Sequence, residues 1–235
     1  MVKSSTDCEI VAGIDLFPAE PGVPFPTYTN LNDCDMAADV IIDFSIAHAV
    51  PAVLDYAIKT GIPLVLCTTG LSDETLKLVE AASQKVAILR SANMSVGINL
   101  IASLMEKVVA ALSDSNFDIE IIEKHHNQKI DAPSGTALLL ADAINAAADG
   151  QYDYTYDRSK KREKRSEKEL GIHAIRGGSI VGEHTIIFAG KDETIEITHS
   201  ATSKEVFAVG AVKAARFLAG KQPKLYDMND VMQGE

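Results

Sequence analysis

Between Glu120 and Thr136 the chain reads Glu-Ile-Ile-Glu-Lys-His-His-Asn-Gln-Lys-Ile-Asp-Ala-Pro-Ser-Gly-Thr, a run dense in residues that move protons or hold anions. The apolar pattern before it predicts a strand that delivers His125 and His126 to its end. Adjacent strand residues point to opposite faces, so the two imidazoles cannot share one role. Lys129 follows four residues after His125, in a segment that must turn before Pro133. Ser134 can then cap a helix opening Gly135-Thr136-Ala-Leu. Backbone N–H groups at such a helix start, at the positive end of the dipole, bind carboxylates or phosphates. Gly135 would let an anion approach the backbone closely. Histidine titrates near neutral pH and lysine carries a transferable proton, so the cluster can bind an anionic substrate and protonate it. Taken singly, each residue reads as a strand-end, solvated or capping residue. Their concentration in the twelve residues from His125 to Thr136 is what points to a site.

Two other chemistries fail on spacing. No metal centre is expected, because the histidines lack the i, i+4 arrangement and no Cys, Asp or Glu completes a familiar ligand set. Ser134 as a nucleophile would need a Gly-x-Ser-x-Gly elbow, which the sequence does not have here.

The elements around this cluster divide into two textures. Glu9–Asp15, Asp39–Phe44, Pro63–Cys67 and Val86–Leu89 are apolar throughout and read as strands buried on both faces. Helical segments are expected near 47–60 and 72–84, the second capped by Ser72 with Asp73 and Glu74 in its first turn. That alternation predicts a parallel α/β sheet. Pro18–Pro26 holds four prolines in nine positions and is a loop. After a helix over about 97–112, the runs 117–123, 171–176, 184–188 and 194–199 alternate polar with apolar, the pattern of a half-exposed antiparallel or mixed sheet. A helix over 204–218 precedes a polar tail.

Composition narrows the function classes. The 235 residues carry 22 Lys and Arg against 33 Asp and Glu, a net charge of −11, with 46% hydrophobic residues. That length fits one or two domains with a real core. No apolar run approaches the roughly 18 residues of a membrane span, and no leader pattern opens the chain, so a soluble protein is expected. The acidity argues against a nucleic-acid partner. Three cysteines, Cys8, Cys34 and Cys67, without C-x-x-C spacing argue against a disulfide framework and for a reducing, cytoplasmic home. One segment departs from the average: Arg158–Lys168 holds seven basic residues and two acids. It reads either as a solvated charged loop or as positive charge that attracts an anionic substrate.

The segment Glu123-Lys-His-His-Asn-Gln-Lys-Ile-Asp-Ala-Pro-Ser-Gly-Thr-Ala137 resembles, without a gap, the signature of the 4-hydroxy-tetrahydrodipicolinate reductases, the dihydrodipicolinate reductases of bacterial lysine and diaminopimelate synthesis. Ile42-Asp-Phe-Ser45, Thr68-Thr-Gly70, Ala92-Asn-Met-Ser-Val-Gly97, Arg176-Gly-Gly-Ser-Ile-Val-Gly-Glu-His184 and Leu225-Tyr-Asp-Met228 extend the resemblance over essentially the whole chain. It implies an α/β enzyme of two domains. A Rossmann-like nucleotide domain would take residues 1–94 and 206–235, and a mixed α/β substrate and tetramerisation domain 95–205. The implied reaction is reduction of 4-hydroxy-tetrahydrodipicolinate to tetrahydrodipicolinate by NADH or NADPH, with loss of water, in a homotetramer. Carried over by position, His125 is a proton donor or acceptor and Lys129 a proton donor, while His126, Gly135 and Thr136 bind the dicarboxylate. Asp15, Cys67, Thr68, Thr69, Ser91, Ala92, Asn93 and Met94 would meet the cofactor. An acid at a Rossmann strand end has a mechanical use, since it can accept hydrogen bonds from ribose hydroxyls.

Three departures from the family pattern shape the expectations. Cys67 stands where the family usually has glycine. Leu16-Phe17 follows Asp15 where NADPH-preferring members place an arginine, so NADH or dual use is favoured. The family's first strand, glycine-rich phosphate loop and most of its first helix have no counterpart in this sequence, and Met1–Ser5 reads as the end of that helix. The alternative expectation is therefore a non-catalytic dicarboxylate-binding or assembly protein of the same fold.

Overall fold

The computed structural model describes residues 7–17, 22–113 and 115–234. Met1–Ser5 and the first residues of the proline-rich segment, 18–21, lie outside them. The chain divides into two compact units, residues 1–94 with 207–235 and residues 95–206.

In the first unit, β1 (Gly13–Ile14) and β2 (Thr27–Tyr28) form a two-stranded parallel sheet. Then come β3 (Ile41–Asp43), α1 (Val50–Thr60), β4 (Leu64–Leu66), α2 (Asp73–Ser83) and β5 (Ile88–Arg90). A 3-10 turn over Ala47–Ala49 leads into α1, which ends at Gly61 with φ +72°. Ser72 caps α2 by accepting the Thr75 N–H at 3.2 Å. Leu64, Leu66 and Ile88 of the strands pack with Val50, Leu54 and Ala57 of α1 and Val79 and Ala82 of α2. Each such fully buried large side chain contributes roughly 1.5–3 kcal/mol.

In the second unit, α3 (Val96–Leu112), capped by Ser95, is followed by β6 (Asp118–His125), α4 (Gly135–Ala147), β7 (Asp153–Thr155), β8 (Glu169–Arg176), β9 (Gly182–Ala189) and β10 (Thr194–Ala201). The five strands form a mixed sheet in the order β10-β9-β6-β8-β7. Strands β6, β7 and β8 run parallel, while β9 runs antiparallel to both β6 and β10. Helices α3 and α4 cover one face, where Met105, Leu140 and Ile144 pack on Ile119, Ile121, Leu170, Ile172, Ile186 and Phe188. This is the mixed sheet that the alternating runs predict.

The chain then enters α5 (Glu205–Leu218), β11 (Leu225–Tyr226) and α6 (Met228–Gln233). The four-stranded sheet of the first unit has the order β11-β5-β4-β3 and is parallel throughout. A Cβ on Gly210 of α5 would lie 1.6 Å from the Met94 carbonyl oxygen, so only glycine permits this crossing.

Three expectations are corrected. The run Glu9–Asp15 is not a buried strand: among the described residues only Gly13 and Ile14 of it pair, in a separate sheet, and Ile10 and Ile14 are exposed. The run Asp39–Phe44, which forms β3, is the edge of the four-stranded sheet among the described residues, leaving Ile42 and Phe44 exposed. A continuous apolar run is ambiguous because burial depends on neighbours that other segments supply. The polar tail is structured, with Asp227 and Asp230 forming a capping box on α6.

Candidate active site

Strand periodicity builds the centre of the site. The alternation that turns Ile119 and Ile121 toward α3 and α4 carries Glu123 and His125 onto the same covered face. Both are buried, and a buried carboxylate needs several donors. Glu123 receives them from three directions. Arg176 of β8 donates in bidentate fashion, Nη1 to Oε2 at 2.6 Å and Nη2 to Oε1 at 2.7 Å. The Ser134 backbone N–H donates to Oε1 at 3.0 Å, and His125 Nδ1 lies 2.6 Å from Oε2. Burial alone would raise the Glu123 carboxyl, but these partners, Arg176 foremost, hold it below the ordinary value.

His125 sits in register with Arg176 on β8. Its ring meets that of His184 edge-on, with centroids 5.1 Å apart. Burial lowers its pKa, Glu123 opposes the shift, and the positive charges of Lys129 and Arg176 add to the lowering. His126 alternates to a half-buried position outside this network, so the two imidazoles do differ in setting. The chain turns after it, with Lys129 N–H donating to the His126 carbonyl at 3.2 Å. Lys129 Nζ reaches Asp131 Oδ1 at 2.8 Å. Burial would raise the Asp131 carboxyl, and Lys129 together with the Gly135 N–H lowers it.

Ser134 caps α4 as expected, accepting the Ala137 N–H at 3.1 Å. Its hydroxyl also lies 3.0 Å from His184 Nε2. The start of α4 is therefore less open than the spacing suggests, since the N–H groups of Ser134, Gly135 and Ala137 already face protein acceptors. A Cβ on Gly135 would meet nothing within 4 Å, so no packing among the described residues requires glycine there.

Sequence reasoning did not single out Glu123, Arg176 or His184 as site residues. Glu123 was findable from its i, i+2 spacing to His125. Arg176 and His184 come from other strands and depend on register. The basic segment is also corrected in part. Arg158 and Lys161 bind the buried Glu169, and Arg165 binds Asp118 and Glu120, so three of its cations hold the sheet together. Lys160, Arg162, Lys164 and Lys168 remain exposed.

His184 makes a testable contribution to stability. Burial first, then the neighbouring His125, push its pKa down to about 4. The unfolded chain takes that proton near 6.5, so between those values the unfolded state binds more protons. The contribution is complete above about pH 6.5 and is lost as pH falls toward 4, by up to roughly 3 kcal/mol. Urea unfolding from pH 7 to 4.5 is expected to show a steeper loss in the wild type than in His184→Gln. Parallel curves would refute it.

The first unit gathers most of the proposed cofactor residues. Asp43, Leu66 and Arg90 are in register at the carboxyl ends of β3, β4 and β5, so the 67–70 and 91–94 segments leave the same sheet edge. Ligands of open parallel sheets bind at that edge. Thr68 is buried and donates its hydroxyl to Asp43 Oδ2 at 2.6 Å, while Thr69 and Ala92 are exposed. Ser91 donates to the Asn93 carbonyl at 2.7 Å, and Asn93 and Met94 are buried. Cys67 is buried, and burial followed by Asp43 pushes its thiol up to about 12, so it is a packing residue rather than a thiolate. Asp15 stands exposed after β1, outside the four-stranded sheet, and accepts the Phe17 N–H at 3.0 Å.

A parallel Rossmann-like sheet, with a second unit whose mixed sheet carries a histidine–carboxylate–arginine centre, defines the class as an α/β protein of two units. Family models place it further: residues 1–94 match "Dihydrodipicolinate reductase, N-terminus" and residues 97–232 match "Dihydrodipicolinate reductase, C-terminus". The chain belongs to the dihydrodipicolinate reductase family. It is 52% identical over 235 residues to a 4-hydroxy-tetrahydrodipicolinate reductase of Caldanaerobacter subterraneus subsp. tengcongensis, covering 99% of this chain and 91% of the relative. The Clostridium botulinum protein of that name is 52% identical over 227 residues, 96% of this chain and 88% of the relative. Among solved structures, a dipicolinate-bound dihydrodipicolinate reductase from Paenisporosarcina sp. TG-14 has the same fold. It superimposes with a TM-score of 0.76 at 24% identity, over 97% of this chain and 91% of that one.

Proposed function

We propose that the chain reduces 4-hydroxy-tetrahydrodipicolinate to tetrahydrodipicolinate, with loss of water, in lysine and diaminopimelate synthesis. The observation that carries the reading is the buried His125, held by Glu123 within the same short segment as Lys129 and the start of α4. A nicotinamide dinucleotide supplies the hydride when bound. The carboxyl edge of the parallel sheet suits such a group, with Thr68 fixed by Asp43 and Thr69 and Ala92 open to a ligand. Cys67, Ser91, Asn93, Met94 and Asp15 complete the proposed cofactor set. Leu16 and Phe17 put no cation beside Asp15, which favours NADH or dual use over NADPH alone.

The chain's own residues do three things. Gly135 and Thr136, with His126, receive a substrate carboxylate at the positive end of α4. Lys129, now paired with Asp131, exchanges that carboxylate for the substrate's and offers a proton. His125 holds the proton that a reduced, enamine-like carbon requires.

Supplying aspartate semialdehyde, pyruvate and dihydrodipicolinate synthase should make the protein oxidise NADH, and no oxidation with either NADH or NADPH would overturn the reading. Gly135→Ala isolates the anion site. Because its Cβ meets open space, the variant should unfold at the wild-type temperature while its affinity for dipicolinate falls at least tenfold. Equal affinity by calorimetry would remove Gly135 from the site.

We also propose a homotetramer working in the cytoplasm. The face of the five-stranded sheet turned away from α3 and α4 supports self-association, since Ile175 is exposed there and Ile122 and Ile187 are half-buried. Light scattering should return four times the 25.2 kDa chain mass. The three cysteines are free thiols, which suits a reducing compartment.

A further inference from the structure

We propose that Glu123 and Arg176 are positioning residues that fix the tautomer of His125, confining its proton exchange to Nε2. Hydrogen-bond capacity decides the tautomer. An ionised carboxylate only accepts, and Arg176 and the Ser134 N–H only donate. Glu123 meets two donors from Arg176 and one from Ser134, so its remaining contact, 2.6 Å to His125 Nδ1, requires that nitrogen to carry hydrogen. Arg176 keeps Glu123 ionised, because its guanidinium lies in bidentate contact with the carboxylate and, with the other donors, holds it below its ordinary value. Neutral His125 therefore keeps its lone pair on Nε2, and the imidazolium carries its extra proton there.

Space has been left on that side. A Cβ on Gly182 would come within 3.1 Å of Nε2, so the missing side chain clears room beside the nitrogen that must meet substrate. Arg176 extends the arrangement to the loop, since its Nη2 also donates to the Asp131 carbonyl at 2.7 Å. The guanidinium thereby links the carboxylate under His125 to the loop that carries Lys129. The charged and titratable groups facing His125 are Glu123 on its own strand, Arg176 on β8, His184 on β9 and Lys129 in the loop. Glu123 alone among them is negative. Without it, burial and three cationic or potentially cationic neighbours all oppose protonation of His125.

The kinetic part of this proposal rests on the reductase reading, but its structural part does not. The test is nitrogen NMR of protein labelled with 15N-histidine, with His125 assigned through His125→Asn. Above its pKa, wild-type His125 should show a protonated Nδ1 and a bare Nε2. The opposite tautomer would overturn the proposal without any substitution, so the result stands even if a Glu123 variant fails to fold. In Glu123→Gln the amide can donate to Nδ1, which should reverse the tautomer. The variant should lose about a hundredfold or more in kcat with less than a threefold change in KM, and its high-pH limb should move to lower pH. Retention of wild-type tautomer and pH profile would also overturn it. Absence of turnover in the wild type would sink the reductase reading instead, with the tautomer still decided by the spectrum.

Discussion

His125→Ala is expected to lower kcat about a thousandfold while KM for the dicarboxylate changes only a fewfold, in the coupled assay at pH 7.5. The split follows from the place of His125 in the structure. It is buried at the end of β6 with one nitrogen committed to Glu123, whereas the groups proposed to bind carboxylate sit at the start of α4 and in the loop after His126. Removing the imidazole deletes a proton at the reacting atom and leaves the anion site standing. Loss of a positioned general acid costs about 10²–10⁴ in rate, and the low-dielectric setting of His125 puts it toward the middle of that range. The substitution also leaves Glu123 with three donors in place of four, a loss the bidentate Arg176 can absorb. The variant should therefore fold, and dipicolinate should bind it within threefold of the wild-type affinity. A kcat within threefold of wild type would remove His125 from the chemistry, and another proton source such as Lys129 would have to carry it.

What the sequence revealed about this centre follows the range of the interactions involved. His125, Lys129, Ser134 and Gly135 were legible because they lie within one strand–turn–helix segment, where local periodicity and capping preferences place side chains. Glu123 obeys the same period of two, but in a strand it reads as one of several acids, and only burial distinguishes it from the half-exposed Glu120. Arg176 and His184 were visible as letters of a motif and silent as partners. Their placement depends on His125 pairing with Arg176 and Glu123 with His184 across strands about fifty to sixty residues apart, and a register shift of one would turn them to the other face. The same non-locality explains the errors in the first unit. An apolar run such as Glu9–Asp15 records compatibility with burial, while the neighbours that would bury it belong to other segments. Strand β11 has only two residues, too short for any period, and is held by pairing with β5. In the basic segment, counting charges could not tell Arg165, which anchors Asp118 and Glu120, from Lys164, which is solvated.

The buried ion pair makes the second large prediction. Arg176→Met keeps an unbranched apolar stem at the end of β8 but removes both donors to Glu123 and the bond to the Asp131 carbonyl. Glu123 is then a wholly buried carboxylate left with His125 Nδ1 and the Ser134 N–H. Breaking a buried pair from one side typically costs about 3–5 kcal/mol, because the abandoned charge stays desolvated. Arg176 is itself partly exposed, so water can enter where it stood, and about 3 kcal/mol at pH 8 is the expected loss. The cost should shrink on acidification. With the guanidinium gone, a cationic neighbour of His125 is lost and its carboxylate partner is uncompensated, so the folded pKa of His125 rises relative to that in the wild type. A folded state that takes up this proton more readily than the wild type recovers stability as pH falls through that range and loses it again as pH climbs. Protonation of Glu123 itself acts in the same direction. Urea unfolding of both proteins at pH 6 and pH 8 should show the smaller difference at pH 6. Equal differences at the two pH values would mean that Arg176 stabilises the sheet by packing, and that the carboxylate beneath His125 does not depend on it for its charge.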